Sequence, residues 1–385
     1  MRIGLALSGG GIRATVFHLG AFARLAQQSL IENITFLSTV SGGSLAVALV
    51  RACSGNQWPS SDTVLQDTIP KARHLLTSRR LDRAYLQHML LSPWSLRRGR
   101  AAALGGALRD CWSMAGALSD LPDDPRWIIN ATCYETGKNW RFMKKRMGDY
   151  VAGYVLSPQL PITQAVAASA AFPGLVGSLK LDTRGFEWFA YDRAGTPRPH
   201  ECRFRTLTLW DGGVYDNLGV EALFKPAGVY RAGFDFLIVS DASALLATET
   251  RRLRAPLRLL DVATDQVRGL RARAVVSHLQ RNPGTGVFLK MGNTQERIYR
   301  EANRSAIGER CAHSTLRQSE VQEAASVGTT LRRFTKREYD PLLAHGYEVA
   351  DATLSAYCGA MFEPRPLTMT DFARRALPGA ADSYV

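Results

Sequence analysis

Three short segments of this 385-residue chain hold residue types that could do chemistry. The first is Gly9-Gly10-Gly11-Ile12-Arg13, between an apolar strand pattern (Arg2–Ser8) and a helical repeat (Ile12–Gln28). Glycines at such a junction leave backbone N–H groups uncovered, and a helix N-terminus adds its positive dipole end. The loop therefore suits a negative charge, either a standing phosphate or a transient oxyanion. The second segment is Thr39-Val40-Ser41-Gly42-Gly43, closing the strand pattern Ile34–Val40 and opening a helix over Ser44–Arg51. A serine on a sharp strand-to-helix turn presents an exposed hydroxyl, the setting of a nucleophile elbow. Thr39 stands where the pattern G-x-S-x-G has its first glycine. Ser38 lies within the strand and Ser44 within the helix, so neither rival has the turn position. The third segment is Asp211-Gly212-Gly213, after the apolar run Leu207–Trp210. A carboxylate at a strand end sits where α/β active sites gather. Asp216 and Asp241 are further carboxylates near strand ends.

A nucleophilic serine needs a base and a site for the oxyanion. The seven histidines (His18, His74, His88, His200, His278, His313 and His345) include none that follows a strand at the expected place, and His18 reads as a helix packing residue. A carboxylate must then accept the serine proton, and Asp211 is the best-placed candidate. Gly9-x-Gly11-x-x-Ala14 also fits a dinucleotide fingerprint. That reading requires an acidic residue at the end of the second strand, where the chain offers Ser41 instead.

With these blocks in this order, the sequence resembles the patatin-like phospholipase family. Ala168–Gly174 (ASAAFPG) and Asn130-Ala131-Thr132 with Thr136-Gly137 add to the likeness, which spans about residues 1–245. The resemblance implies a Ser–Asp dyad lipid acyl hydrolase without cofactor or metal. Ser41 would be the nucleophile and Asp211 the base. Backbone amides of Gly9, Gly10 and Gly11 would form the oxyanion hole. Ile12, Arg13, Gly42, Gly43, Gly212 and Gly213 would support them, with Arg13 holding the loop or favouring an anionic head group. The substrate would be a phospholipid or lysophospholipid.

The elements that must position these residues follow an α/β rhythm: strand, glycine loop, helix, strand, turn, helix. Such a rhythm predicts parallel strands with helices packed on the sheet. With the resemblance it gives a three-layer α/β/α fold with a mainly parallel central sheet. Residues 54–125 show no strand pattern and read as a basic helical insertion. Further strands are expected at Trp127–Tyr134, Thr206–Trp210, Phe236–Ser240 and Gly286–Met291, and helices at Ile162–Ala171, Leu253–Gln280 and Glu338–Tyr357. One domain over 1–358 is expected, with a loose tail over 359–385.

Composition bounds the partners. The net charge is +14, and two stretches carry nearly all of it: +7 over residues 71–100 and +6 over residues 251–281. Such patches suit an anionic membrane surface. The first flanks Tyr85–Leu96 (YLQHMLLSPWSL), whose apolar, Trp-bearing character suits a lipid interface. Nucleic acid is the competing anion, but no helix-turn-helix, zinc-finger or aromatic RNA-binding pattern supports it. A non-catalytic lipid- or nucleotide-sensing module on the same fold is the other alternative, against which the retained Ser41, Asp211 and glycine loop argue. No run of 18 apolar residues appears. The N-terminus lacks the order of a signal peptide, so a cytoplasmic protein with peripheral membrane contact is expected. The six scattered cysteines show no CxxC spacing, which argues for reduced thiols and against zinc.

Overall fold

The computed structural model describes residues 1–91, 97–225, 228–231, 233–244, 255–304, 316–328 and 330–367. Strands β1 (Ile3–Leu7), β2 (Ile34–Val40), β3 (Arg126–Cys133), β4 (Asn139–Phe142), β5 (Arg146–Asp149), β6 (Gly153–Leu156), β7 (Leu179–Asp182), β8 (Trp188–Tyr191), β9 (Pro197–His200), β10 (Thr206–Asp211), β13 (Phe236–Asp241) and β14 (Gly286–Lys290) form one sheet. β11 (Phe224–Lys225) and β12 (Val229–Tyr230) make a separate hairpin. The sheet runs β14-β13-β1-β2-β3-β4-β5-β6-β8-β9, with β10 attached to β3 and to β7. From β14 to β3 the strands are parallel. Beyond β3 the chain turns back on itself as an antiparallel meander.

Helices cover both faces of the parallel part, and the strand residues alternate accordingly. Ile3, Leu5, Leu7, Phe236 and Ile238 point into the larger core, beneath α1 (Gly11–Ala26) and α2 (Gly42–Cys53). Ala6, Leu237 and Val239 point to the other face, where they meet Val275. Among the described residues of 54–125 the elements are helices: α3 (Ile69–Ser78), α4 (Leu81–Leu91) and α5 (Ala101–Trp112) follow two short turns. Further on come α6 (Ile162–Ser169), the short α7 (Gly213–Asp216), α8 (Ala255–Arg281), α9 (Gln295–Glu301), α10 (Gln318–Ser326) and α11 (Lys336–Cys358). The expected three-layer α/β/α fold is therefore present, its mixed sheet parallel in the central strands, and the larger core extends from Ile3 to Leu367.

Several expectations fall partly outside the described residues. These are the end of Tyr85–Leu96 at 92–96, the start of Leu253–Gln280, the tail beyond 367, and Cys311 and His313. The other five cysteines are free thiols. The +6 stretch needs correction. Arg268 bonds the buried Asp241 at 2.7 Å, and Arg271 lies 3.6 Å from the buried Asp216 and 3.1 Å from Glu221. Part of that charge neutralises acids inside the fold and is not offered to a surface.

Helix α1 is clamped to α11 by a buried ion pair. Arg24 donates from Nε to Asp351 at 2.5 Å and from Nη2 to the Glu363 carbonyl at 2.8 Å. Removing one partner of a buried pair leaves a charge without compensation. Arg24→Leu is expected to cost about 3–5 kcal/mol in urea unfolding; a loss below about 1 kcal/mol would mean the pair is dispensable.

Candidate active site

Strand β3 brings the second and third segments together. Its lower half pairs with parallel β2, ending at Val40 opposite Asn130. Its upper half pairs with antiparallel β10, ending at Asp211 opposite Ala131. Asn130 and Ala131 are consecutive. β2 and β10 thus run toward each other and stop end to end, which sets Ser41 beside Asp211.

Ser41 is 7% exposed and has φ 49° and ψ −113°. That conformation is costly for a residue with a Cβ and is the sharp turn an elbow requires. Helix α2 follows immediately because Gly42 has no side chain. A Cβ there would stand 2.3 Å from the Gly11 carbonyl, so the first turns of α1 and α2 could not touch. Thr39, the departure from the elbow pattern, has a role of its own. Its hydroxyl accepts from Trp127 Nε1 at 2.9 Å and bonds Ser44 at 2.8 Å. Ser44 bonds Ser169 at 2.8 Å, and Ser169 Oγ accepts the Ser41 N–H at 3.0 Å. Ser169 also accepts the Gly212 N–H on its carbonyl, while Ala171 accepts that of Asp211. One residue of the ASAAFPG segment therefore holds both the elbow and the aspartate loop.

Asp211 is 2% exposed. Its Oδ1 accepts the Gly213 N–H at 2.7 Å. Burial pushes its pKa up to about 7, against smaller lowering by the Gly213 amide and the nearby Ser41 hydroxyl. Ser41 is within reach of the carboxylate, yet Oδ2 is buried without a hydrogen bond of ordinary geometry. The two groups are adjacent rather than locked, as catalytic pairs often are before substrate binds. The rival carboxylates differ: Asp241 is bonded to Arg268 and Asp216 lies beside Arg271. Among the described residues no cation pairs with Asp211.

In the glycine loop, the Gly9 N–H donates to the Asn217 carbonyl at 3.0 Å. Gly9, expected as an oxyanion donor, thus has its amide committed. The amides of Gly10 and Gly11 have no partner among the described residues, nor has that of Gly42, while Gly43 donates to the Ser8 carbonyl at 3.0 Å. Ile12 is buried in the core. Arg13 is also buried and donates to the carbonyls of Ala242, Ala325 and Val327, so it braces the loop and does not face a ligand. His18 bonds the Ser8 carbonyl and Ser240, and burial lowers its pKa to about 4. It is a neutral strut under the loop. Asn217 and Ser169 were not legible as site residues. Asn217 follows the aspartate loop by only four residues, which was its one available signal.

The buried Asp211 has a consequence for stability. The folded protein holds the Asp211 proton up to about pH 7, whereas the unfolded chain releases it near the ordinary 3.8. Between these values the native state binds more protons, so its stability falls as pH rises through that window. Asp211→Asn is expected to remove this cost, raising stability over the parent by as much as ~4 kcal/mol at pH 8 and by little near pH 4. A difference that does not change with pH would contradict the raised pKa.

The family model of the patatin-like phospholipases matches residues 5–224. A comparison with curated proteins finds no match. Among solved structures, human GIVD cytosolic phospholipase A2 superposes with a TM-score of 0.51 at 13% identity, over 97% of this chain and 62% of that one. VipD from Legionella pneumophila gives a TM-score of 0.35 at 16% identity, over 97% of this chain and 74% of that one. The first likeness speaks for the fold alone, and the second bears no weight. The chain spans less than two thirds of the length of the human protein. The family model covers more than half of the chain, and its match takes in all three segments described above: the chain belongs to the patatin-like phospholipase family.

Proposed function

We propose that the chain is a serine lipid acyl hydrolase of phospholipase A or lysophospholipase type, with Ser41 as nucleophile and Asp211 as base. The observation that carries the reading is a buried carboxylate that meets no cation among the described residues, beside a serine on a strained turn. An aspartate of ordinary pKa is a poor base toward an alcohol. Burial up to about 7 makes Asp211 a better one at neutral pH.

In the proposed reaction Asp211 takes the Ser41 Oγ proton as Oγ attacks the ester carbonyl. The oxyanion faces the unpartnered amides of Gly10, Gly11 and Gly42. The tetrahedral intermediate collapses, the alcohol leaves with the proton from Asp211, and the acyl group stays on Ser41. Water then attacks the acyl-enzyme, giving its proton to Asp211, and Ser41 recovers its hydroxyl as the fatty acid departs. Oxyanion donors of this kind contribute ~10²–10³ each in rate.

The rim of the site supports a lipid substrate. Phe172 and Leu175 are exposed just after Ala171, the residue that accepts the Asp211 N–H. Tyr85 Oη donates to the Val176 carbonyl at 2.8 Å and ties α4 to this loop. On the outer side of α4, Leu86, Leu90 and Leu91 are 53%, 83% and 81% exposed, with Arg79 and Arg83 exposed nearby. Apolar side chains flanked by arginines suit the surface of an anionic bilayer. Among the described residues no helix is long and apolar enough to cross one.

Two outcomes are expected. The kcat/KM for a soluble short-chain ester should rise as pH climbs through about 7 and then level, because only the ionised Asp211 accepts the proton; an acid limb near ~4 would sink the assignment of Asp211 as a raised-pKa base. Leu86→Glu with Leu90→Glu should cut hydrolysis on anionic vesicles about tenfold and leave the soluble ester unaffected. Equal effects on both substrates would remove the case for a membrane-facing α4.

A further inference from the structure

A polar cavity lies on the antiparallel half of the sheet, and Tyr215, two residues past the aspartate loop, forms part of its wall. It has a volume of about 220 Å³ and is lined by Lys138, Arg141, Arg146 and Arg231, with Asp149 and Glu221 as the carboxylates among the described residues. Its floor comes from strand register. Arg141 on β4, Gly148 on β5 and Tyr154 on β6 stand directly abreast. Gly148 has φ 138°, and a Cβ there would stand 2.2 Å from the Gly153 carbonyl, so no side chain can fill the middle position. A gap two strand spacings wide, about 10 Å, opens between the arginine and the tyrosine.

The charges around the gap are unbalanced. Both oxygens of Glu221 are taken, Oε1 by Arg141 at 3.2 Å and Oε2 by Arg271 at 3.1 Å. Both oxygens of Asp149 are also taken: Oδ2 accepts from Thr136, and Oδ1 from the amides of Val151 and Ala152. Arg141 keeps a buried Nε with no partner among the described residues. Its pKa is lowered, first by burial and further by the neighbouring Arg231, although Glu221 opposes this. Arg146 lies over the Tyr154 and Tyr191 rings at 4.7 and 4.9 Å, and Lys138 over Tyr150 at 5.4 Å. Aromatic faces hold these cations in place without neutralising them.

We infer that this cavity is a binding site for a phosphate-bearing anion, seated over Gly148 between Arg141, Arg231, Lys138 and Arg146. Guanidinium forks match phosphate oxygens in pairs. The volume is below that of a whole small-molecule pocket, so the site takes one phosphate group and leaves the rest of its carrier outside. The carrier is either a free phosphate ester or the head group of a lipid. The inference goes beyond the proposed hydrolysis and does not rest on it.

The test titrates the full chain with inorganic phosphate and with glycerol 3-phosphate by calorimetry, and measures sedimentation with phosphatidylcholine vesicles with and without phosphatidic acid. Lys138→Gln with Arg231→Gln alters the rim and spares the buried Arg141; Arg337→Gln, exposed at the start of α11, is the control. The parent is expected to bind both soluble anions saturably, and the double variant at least about tenfold more weakly, with Arg337→Gln unchanged. If the double variant also loses the phosphatidic acid increment in vesicle binding, the carrier is the lipid head group. If only soluble binding is lost, it is a free ester. Equal affinity of parent and double variant for both anions, or no saturable binding up to about 10 mM, would overturn the site.

Discussion

Everything at the candidate active site depends on how β3 divides its edge. The lower residues of that edge bond to β2 and the upper ones to β10, and the changeover falls between Asn130 and Ala131. Hydrogen-bond register in a sheet is not adjustable by small amounts, because a one-residue slip turns every side chain to the other face. Here the register is held further by Asn130, whose Nδ2 donates to Ser38 Oγ and to the Thr39 carbonyl, both at 3.0 Å. Thr132 donates to the Asp211 carbonyl at 2.8 Å from the same strand. Two segments separated by 170 residues thus meet with their ends fixed to neighbouring positions of one strand.

The electrostatics follow from that meeting place. Asp211, Asp216 and Asp241 are all buried near the ends of β10 and β13, and the fold treats them differently. Asp216 and Asp241 receive arginines from α8, which offset the cost of burying them. Asp211 accepts an amide hydrogen and has the Ser41 hydroxyl nearby, but among the described residues it meets no cation. An arginine there would stabilise the protein and also hold the carboxylate ionised and weakly basic. The strained backbone of Ser41 is a second local cost, held in place by the chain of buried hydroxyls from Thr39 through Ser44 to Ser169. A site built at the expense of stability is the pattern expected where chemistry is done.

The three loops were legible because strand, glycine and helix punctuate the sequence plainly there. So were the parallel strands, which are mainly apolar as befits strands covered on both faces. The antiparallel course of β10 was not, since an isolated apolar run carries no direction. The meander was missed for a different reason. β5 reads Arg-Met-Gly-Asp and β9 reads Pro-Arg-Pro-His, short and charged or fully exposed, with no alternation to betray a strand. Thr39 looked like a flaw in the elbow because its partners, Trp127 and Ser44, are set by the fold. Arg268 and Arg271 of α8 read as part of a free patch for the same reason: Asp241, Asp216 and Glu221, which they meet, lie outside that helix.

We propose that the end-to-end junction on β3 makes Ser41 an activated nucleophile through Asp211. An alkyl fluorophosphonate, which modifies only a serine activated as a nucleophile, tests it without any assumption about the lipid. Peptide mass mapping of the labelled protein should find the adduct on Ser41 alone, formed at least ~10² more slowly in Asp211→Asn. An adduct on Ser38 or Ser44, or a rate indifferent to the change at 211, would contradict the account.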